Sequence, residues 1–91
     1  WCDDPKSSLY NKELIINDKV KHEKLFKNDN SYDYFIVINY NTKKIKRNKG
    51  SAIFIHLTKN YKKTAGCIAL KKKDFLIMVK LLSKKNTIKI I

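Results

Sequence analysis

One cysteine and one histidine stand eleven positions apart in the second half of this 91-residue chain. His56 closes the apolar run Gly50-Ser51-Ala52-Ile53-Phe54-Ile55. Cys67 follows Gly66 in Thr64-Ala65-Gly66-Cys67-Ile68-Ala69-Leu70. A cysteine attacks as its thiolate, and an imidazole nearby is the usual base that produces one. Both glycines of the chain, Gly50 and Gly66, lie in this stretch. The residue types therefore admit a Cys/His nucleophile. They also admit plainer readings: Cys67 as a small buried hydrophobe on a strand, or a Cys2–Cys67 disulfide. Cys2, His22, His56 and Cys67 lack the paired spacing of a zinc site, so no metal or cofactor is expected.

Positioning such a pair requires rigid elements. Tyr32 to Tyr40 reads as a strand around Phe35-Ile36-Val37-Ile38, apolar on both faces and so expected in the centre of a sheet. Gly50 to His56 reads as a second strand, with Ala52, Phe54 and His56 on one face and Ile53 and Ile55 on the other. A polar loop, Leu57 to Lys63, leads to a third short strand near Cys67. Lys71 to Ser83 carries the helical pattern: Phe75, Met78, Val79 and Leu82 recur at i, i+3, i+4 and i+7, widened by Leu76. Asp74 suits the first turn of that helix, and its stripe is expected to be core. Asp18 to Asn30 predicts a short helix, and His22 within it reads as a solvated surface residue. Trp1 to Asn17 has turn chemistry, with Asp3-Asp4-Pro5 opening a turn and Tyr10-Asn11 marking a bend. Trp1 itself reads as a packing residue. Thr87 to Ile91 suggests a terminal strand. The fold class that follows is mainly β with one helix, an α+β arrangement in a single domain spanning residues 1–91.

Composition narrows the partners. The formal net charge is +13, which ordinarily points to nucleic acid or an anionic surface. Yet Arg47 is the only arginine among 21 basic residues. The remainder are lysines in an Asn- and Ile-rich chain, the composition an A/T-rich coding sequence produces. Bidentate readers of bases use arginine, so no specific nucleic acid is expected. A non-catalytic basic module binding nucleic acid or an anionic wall polymer is the rival reading. It would use Lys43, Lys44, Lys46, Arg47 and Lys71 to Lys73. Two cysteines make no disulfide scaffold, and no apolar run reaches the roughly 20 residues of a membrane-spanning helix. Two glycines so far apart exclude a glycine-rich phosphate loop.

Read together, Gly50 to His56 and Thr64-Ala65-Gly66-Cys67 resemble the catalytic region of the L,D-transpeptidase (YkuD-like) family. That family carries a histidine on one strand and Ser/Thr-x-Gly-Cys a short loop later. Trp1-Cys2-Asp3-Asp4-Pro5, His22-Glu23, Tyr32-Asp33 and Gly66-Cys67-Ile68-Ala69-Leu70 look like one branch of it. The resemblance implies an L,D-transpeptidase-like β-fold, shortened at its N-terminal side, in the bacterial cell envelope or periplasm. It implies acyl transfer on peptidoglycan stem peptides through a cysteine thioester, or L,D-carboxypeptidase action at the same site. Cys67 would be the nucleophile and His56 its base. The Leu57 carbonyl would orient His56, and N–H groups at the Gly66-Cys67 turn would meet the oxyanion. Thr64, Ser51 and His22 are the candidates for substrate contact. Two positions depart from the family's pattern: Ala65 stands where many members have His, and Ala69 where many have Arg or Asn.

Overall fold

The computed structural model describes residues 1–15 and 20–89. Among these residues three strands and one helix form in the order β1 (Phe35–Val37), β2 (Phe54–Leu57), β3 (Ile68–Leu70) and α1 (Lys72–Leu81), an α+β arrangement. The sheet order is β1-β2-β3. β1 runs antiparallel to β2, with Phe35 opposite His56 and Val37 opposite Phe54. β3 runs parallel to β2, with Ile55 beside Ile68 and His56 beside Ala69.

The centre of the sheet is therefore β2. The Phe35 strand lies at an edge, contrary to the expectation from its two apolar faces. Val37 and Tyr34 are exposed, so the run satisfies β-propensity without being enclosed. β2 is enclosed on both faces. Phe54 is fully buried against Trp1 and Ala52, with the Trp1 and Phe54 rings edge-to-face at 5.1 Å. Ile55 and Leu57 face the other way and pack on Phe75 of α1. Full burial of such side chains contributes roughly 1.5–3 kcal/mol each, so β2 anchors both halves of the core.

Regular strand geometry begins only at Phe54, although the apolar run starts at Gly50. Gly50 and Ala52 both hold positive φ, 114° and 54°, which turns the chain before the ladder starts. At Gly50 a Cβ would sit 3.0 Å from the Tyr40 ring, so glycine suits both the angle and the space.

The helix forms where the pattern placed it, but its stripe is only partly core. Phe75 is buried and Met78 packs beside it. Leu76, Val79 and Leu82, like Ile77 and Leu81, remain exposed, because a single small sheet covers one narrow side of the helix. Asp74 lies in the first turn, as a carboxylate near the positive end of a helix should.

Two other elements do not form. Asp18 and Lys19 fall outside the described residues, and no helix runs from Val20 to Asn30. Instead the Glu23 N–H donates to the Trp1 carbonyl at 2.7 Å, His22 forms an isolated bridge with Cys2, and residues 28–30 turn. Pairing with the N-terminal residues takes up the Lys21 carbonyl and both backbone groups of Glu23, and Phe26 is left exposed rather than forming a helical face. No strand forms at residues 87–89, and Ile90 and Ile91 lie outside the described residues. Among the described residues no helix is long and apolar enough to cross a membrane.

Candidate active site

The parallel pairing of β2 and β3 sets the site. His56 sits beside Ala69, so Cys67, two residues earlier, projects from the same face one step down the neighbouring strand. A rise of about 3.3 Å per residue and about 4.8 Å between strands puts the two Cα atoms roughly 8 Å apart on the diagonal. Their side chains line one small cavity of about 200 Å³, together with Glu23, Tyr32, Ser51 and Ala65. A larger cleft of about 600 Å³ shares His56 and Thr64 with it. Its walls include Leu57, Ala69 and the lysines Lys59, Lys62, Lys63 and Lys72.

The imidazole is held from two sides. Its Nδ1 lies 2.8 Å from the Leu57 carbonyl oxygen. A carbonyl can only accept, so Nδ1 carries the hydrogen and Nε2 is left as the basic nitrogen. Tyr32 stands edge-on to the ring at 5.2 Å, and its hydroxyl donates to Glu23 Oε1 at 2.9 Å. Burial, and then the hydrogen bond to Glu23, push the Tyr32 phenol well above its ordinary range. It therefore remains a neutral donor and a fixed wall. Sequence reading did not single out Tyr32 or Glu23 as site residues. Their side chains meet across nine positions of irregular chain, a pairing that no periodicity announces.

The thiol rests elsewhere. Cys67 Sγ donates to the Ala52 carbonyl at 3.2 Å and accepts from the Phe54 N–H at 3.4 Å. No hydrogen bond joins it to His56 in this resting geometry. Burial pushes the thiol pKa up, the Phe54 N–H partly opposes this, and the Glu23 charge adds to the rise. The resting group is a neutral thiol, and both cysteines are free, so the Cys2–Cys67 disulfide does not form.

Gly66 precedes the nucleophile candidate at φ +141°, a conformation side chains rarely adopt. A Cβ there would also press on Ile53 Cδ1 at 3.3 Å. Thr64 closes the turn by donating from its hydroxyl to the Cys67 carbonyl. Gly66→Ala is expected to lower stability by about 1–3 kcal/mol, the usual cost of such backbone strain, read as a lower denaturant midpoint. An unchanged midpoint would show that the turn adapts.

Ser51 lines the small cavity and Leu57 the larger one. His22 lines neither. It is half-buried, with Nδ1 2.8 Å from the Val20 carbonyl, beside the strand-like contact with Cys2.

No curated protein and no solved structure matches this chain. A family model does: the L,D-transpeptidase catalytic domain (YkuD) matches residues 2–90. The match takes in both cavities and every strand and helix that shapes them, and on it the chain belongs to the YkuD family of L,D-transpeptidase catalytic domains.

Proposed function

We propose that this chain transfers acyl groups on peptidoglycan stem peptides, with Cys67 as nucleophile and His56 as general base. The observation that carries the reading is the shared cavity. A cysteine and a histidine with its Nδ1 tied to a carbonyl face the same hollow, and that hollow adjoins a cleft of about 600 Å³.

The chemistry runs in two halves. Rotation about χ1 moves Sγ off the Ala52 carbonyl toward His56 Nε2, which takes the thiol proton. The thiolate attacks the carbonyl carbon at the L-centre of the diamino acid, forming a C–S bond. The C–N bond to terminal D-alanine then breaks, and the imidazolium returns the proton to the departing amine. In the second half an acceptor amine attacks the thioester, His56 takes its proton, and the thiol is regenerated. Backbone N–H groups at the Gly66-Cys67 turn are the donors for the developing oxyanion. Glutamate and diaminopimelate side chains make stem peptides acidic. The cleft lysines Lys59, Lys62, Lys63 and Lys72 complement that charge, and they wall the same cleft as Ala69, where many members carry arginine.

The test is intact-mass analysis after incubation with a stem tetrapeptide. The expected result is a tripeptidyl adduct mapped to Cys67, with free D-alanine in solution. Added acceptor stem should consume the adduct into a cross-linked dimer. A tripeptide product alone, with no dimer, identifies carboxypeptidase action with water as acceptor. No adduct and no D-alanine release would overturn the acyl-transfer reading.

A further inference from the structure

Among the described residues Asn11 is the one buried polar residue, only 2 % exposed, and it lies far from Cys67 in sequence. Its side chain is used completely. Oδ1 accepts from the Trp1 indole N–H at 2.9 Å and from the Ala52 N–H at 3.0 Å. Nδ2 donates to the carbonyls of Tyr40 at 3.1 Å and Asn41 at 2.6 Å. An amide has two acceptor sites and two donors, and all four are filled.

One of those bonds reaches the active site. Ala52 sits at φ 54°, a left-handed conformation that costs an alanine free energy and needs an external hold. The hold is the Asn11 Oδ1 on its N–H. The carbonyl of the same residue accepts the Cys67 S–H. A relay thus runs from a buried amide, through one strained residue, to the thiol.

We infer that Asn11 is a positioning residue for the nucleophile, fixing Ala52 so that its carbonyl holds the Cys67 thiol in its neutral, stored orientation. The catalytic meaning of that orientation rests on the acyl-transfer reading; the effect on the thiol itself does not. A hydrogen bond donated by the neutral thiol disfavours its ionisation. Releasing Ala52 removes that bond and leaves the Phe54 N–H, which favours the thiolate. The other titratable groups lining the thiol's cavity are Glu23, Tyr32 and His56, and none of them is a side-chain hydrogen-bond partner of Asn11.

The experiment is the pH profile of Cys67 alkylation by iodoacetamide, read by peptide mass mapping, alongside thermal stability. Asn11→Ala is expected to shift the alkylation midpoint down by about half to one pH unit, the equivalent of one lost hydrogen bond. Asn11→Asp, a carboxylate at the alkaline pH of the titration, keeps the acceptor for the Ala52 N–H and loses both donors. Its negative charge does not favour the thiolate, so it is expected to keep the midpoint at or above the wild-type value even with reduced thermal stability. A purely structural asparagine would lower stability in both variants and move the midpoint in neither, and that outcome overturns the inference. Should Asn11→Ala not fold, the comparison is made on an Ala52→Gly background, where the left-handed strain is gone. Glycine permits the conformation without enforcing it, so adding Asn11→Ala still shifts the midpoint down relative to Ala52→Gly alone. An unchanged midpoint in that pair also overturns it. Alkylation requires no stem peptide, so failure here is distinct from failure of acyl transfer.

Discussion

Cys67→Ala is expected to eliminate the covalent adduct with a stem tetrapeptide or a carbapenem, to below the detection limit of intact-mass analysis. Nothing else in the small cavity can form a thioester, because Cys2 is fully buried and does not line it. The substitution also removes an acceptor from the Phe54 N–H, which costs about 1–3 kcal/mol where the group is buried. Cys67→Ser separates the two effects. Its hydroxyl can donate to Ala52 and accept from Phe54 as the thiol does, so stability stays closer to wild type while the adduct is still lost. The pH dependence has a definite sign. The folded state raises the thiol pKa, so the stability the neutral thiol contributes is fully present below the unfolded thiol pKa. It is lost as pH rises through the folded value. Wild type should therefore lose stability toward alkaline pH more steeply than Cys67→Ser, whose hydroxyl does not titrate there. Full labelling of Cys67→Ala would place the nucleophile elsewhere.

Why some of this was legible from residue types, and some not, follows from what each feature depends on. β2 was readable because Phe54 and Ile55 are apolar on opposite faces and both faces are covered, although Leu57, read as the start of the loop, belongs to the strand. The same pattern at Phe35-Ile36-Val37 gave the wrong position, because a strand's propensity says nothing about whether a neighbour exists on its second edge. Residues 20–30 failed as a helix because their backbone partners, Trp1 and Cys2, lie some twenty residues away. The helical stripe was right in period and wrong in burial: Phe75 found β2, and Leu76 and Val79 found no second layer. At the site, His56 and Cys67 could be named from type and spacing, and the Leu57 carbonyl, which only the family resemblance implied, lies 2.8 Å from His56 Nδ1. The hold on the thiol could not be read. Ala52 gives no sign of a left-handed backbone, since glycine or asparagine is the usual residue there, and Asn11 lies 41 positions from the amide it binds.

His56→Gln is expected to lower the rate of acylation by about 10²- to 10⁴-fold, the usual worth of a positioned general base. The need for a base begins with the resting thiol. It is neutral, its pKa is raised by burial, and it donates to a carbonyl rather than to a base. At neutral pH few molecules carry the thiolate spontaneously, so the proton must have somewhere to go when substrate arrives. Under the proposed mechanism His56 supplies that place, because the Leu57 carbonyl commits its Nδ1 to carrying hydrogen and leaves Nε2 open. Tyr32, fixed by Glu23, stops the ring from turning away. Glutamine can keep a donor toward Leu57 and fill similar space, but its amide accepts no proton at these pH values. Fold and cavity should survive, and proton transfer should not. The residual reaction then depends on ionisation of the thiol by solvent. Below the raised thiol pKa its rate climbs about tenfold for each pH unit, following the thiolate fraction. Wild type, with the base present, gains far less over the same alkaline range, so the two profiles converge as pH rises. Single-turnover acylation by a carbapenem, followed across that range, measures both curves. Parallel profiles separated by a constant factor would mean that His56 shapes the cavity without taking the proton.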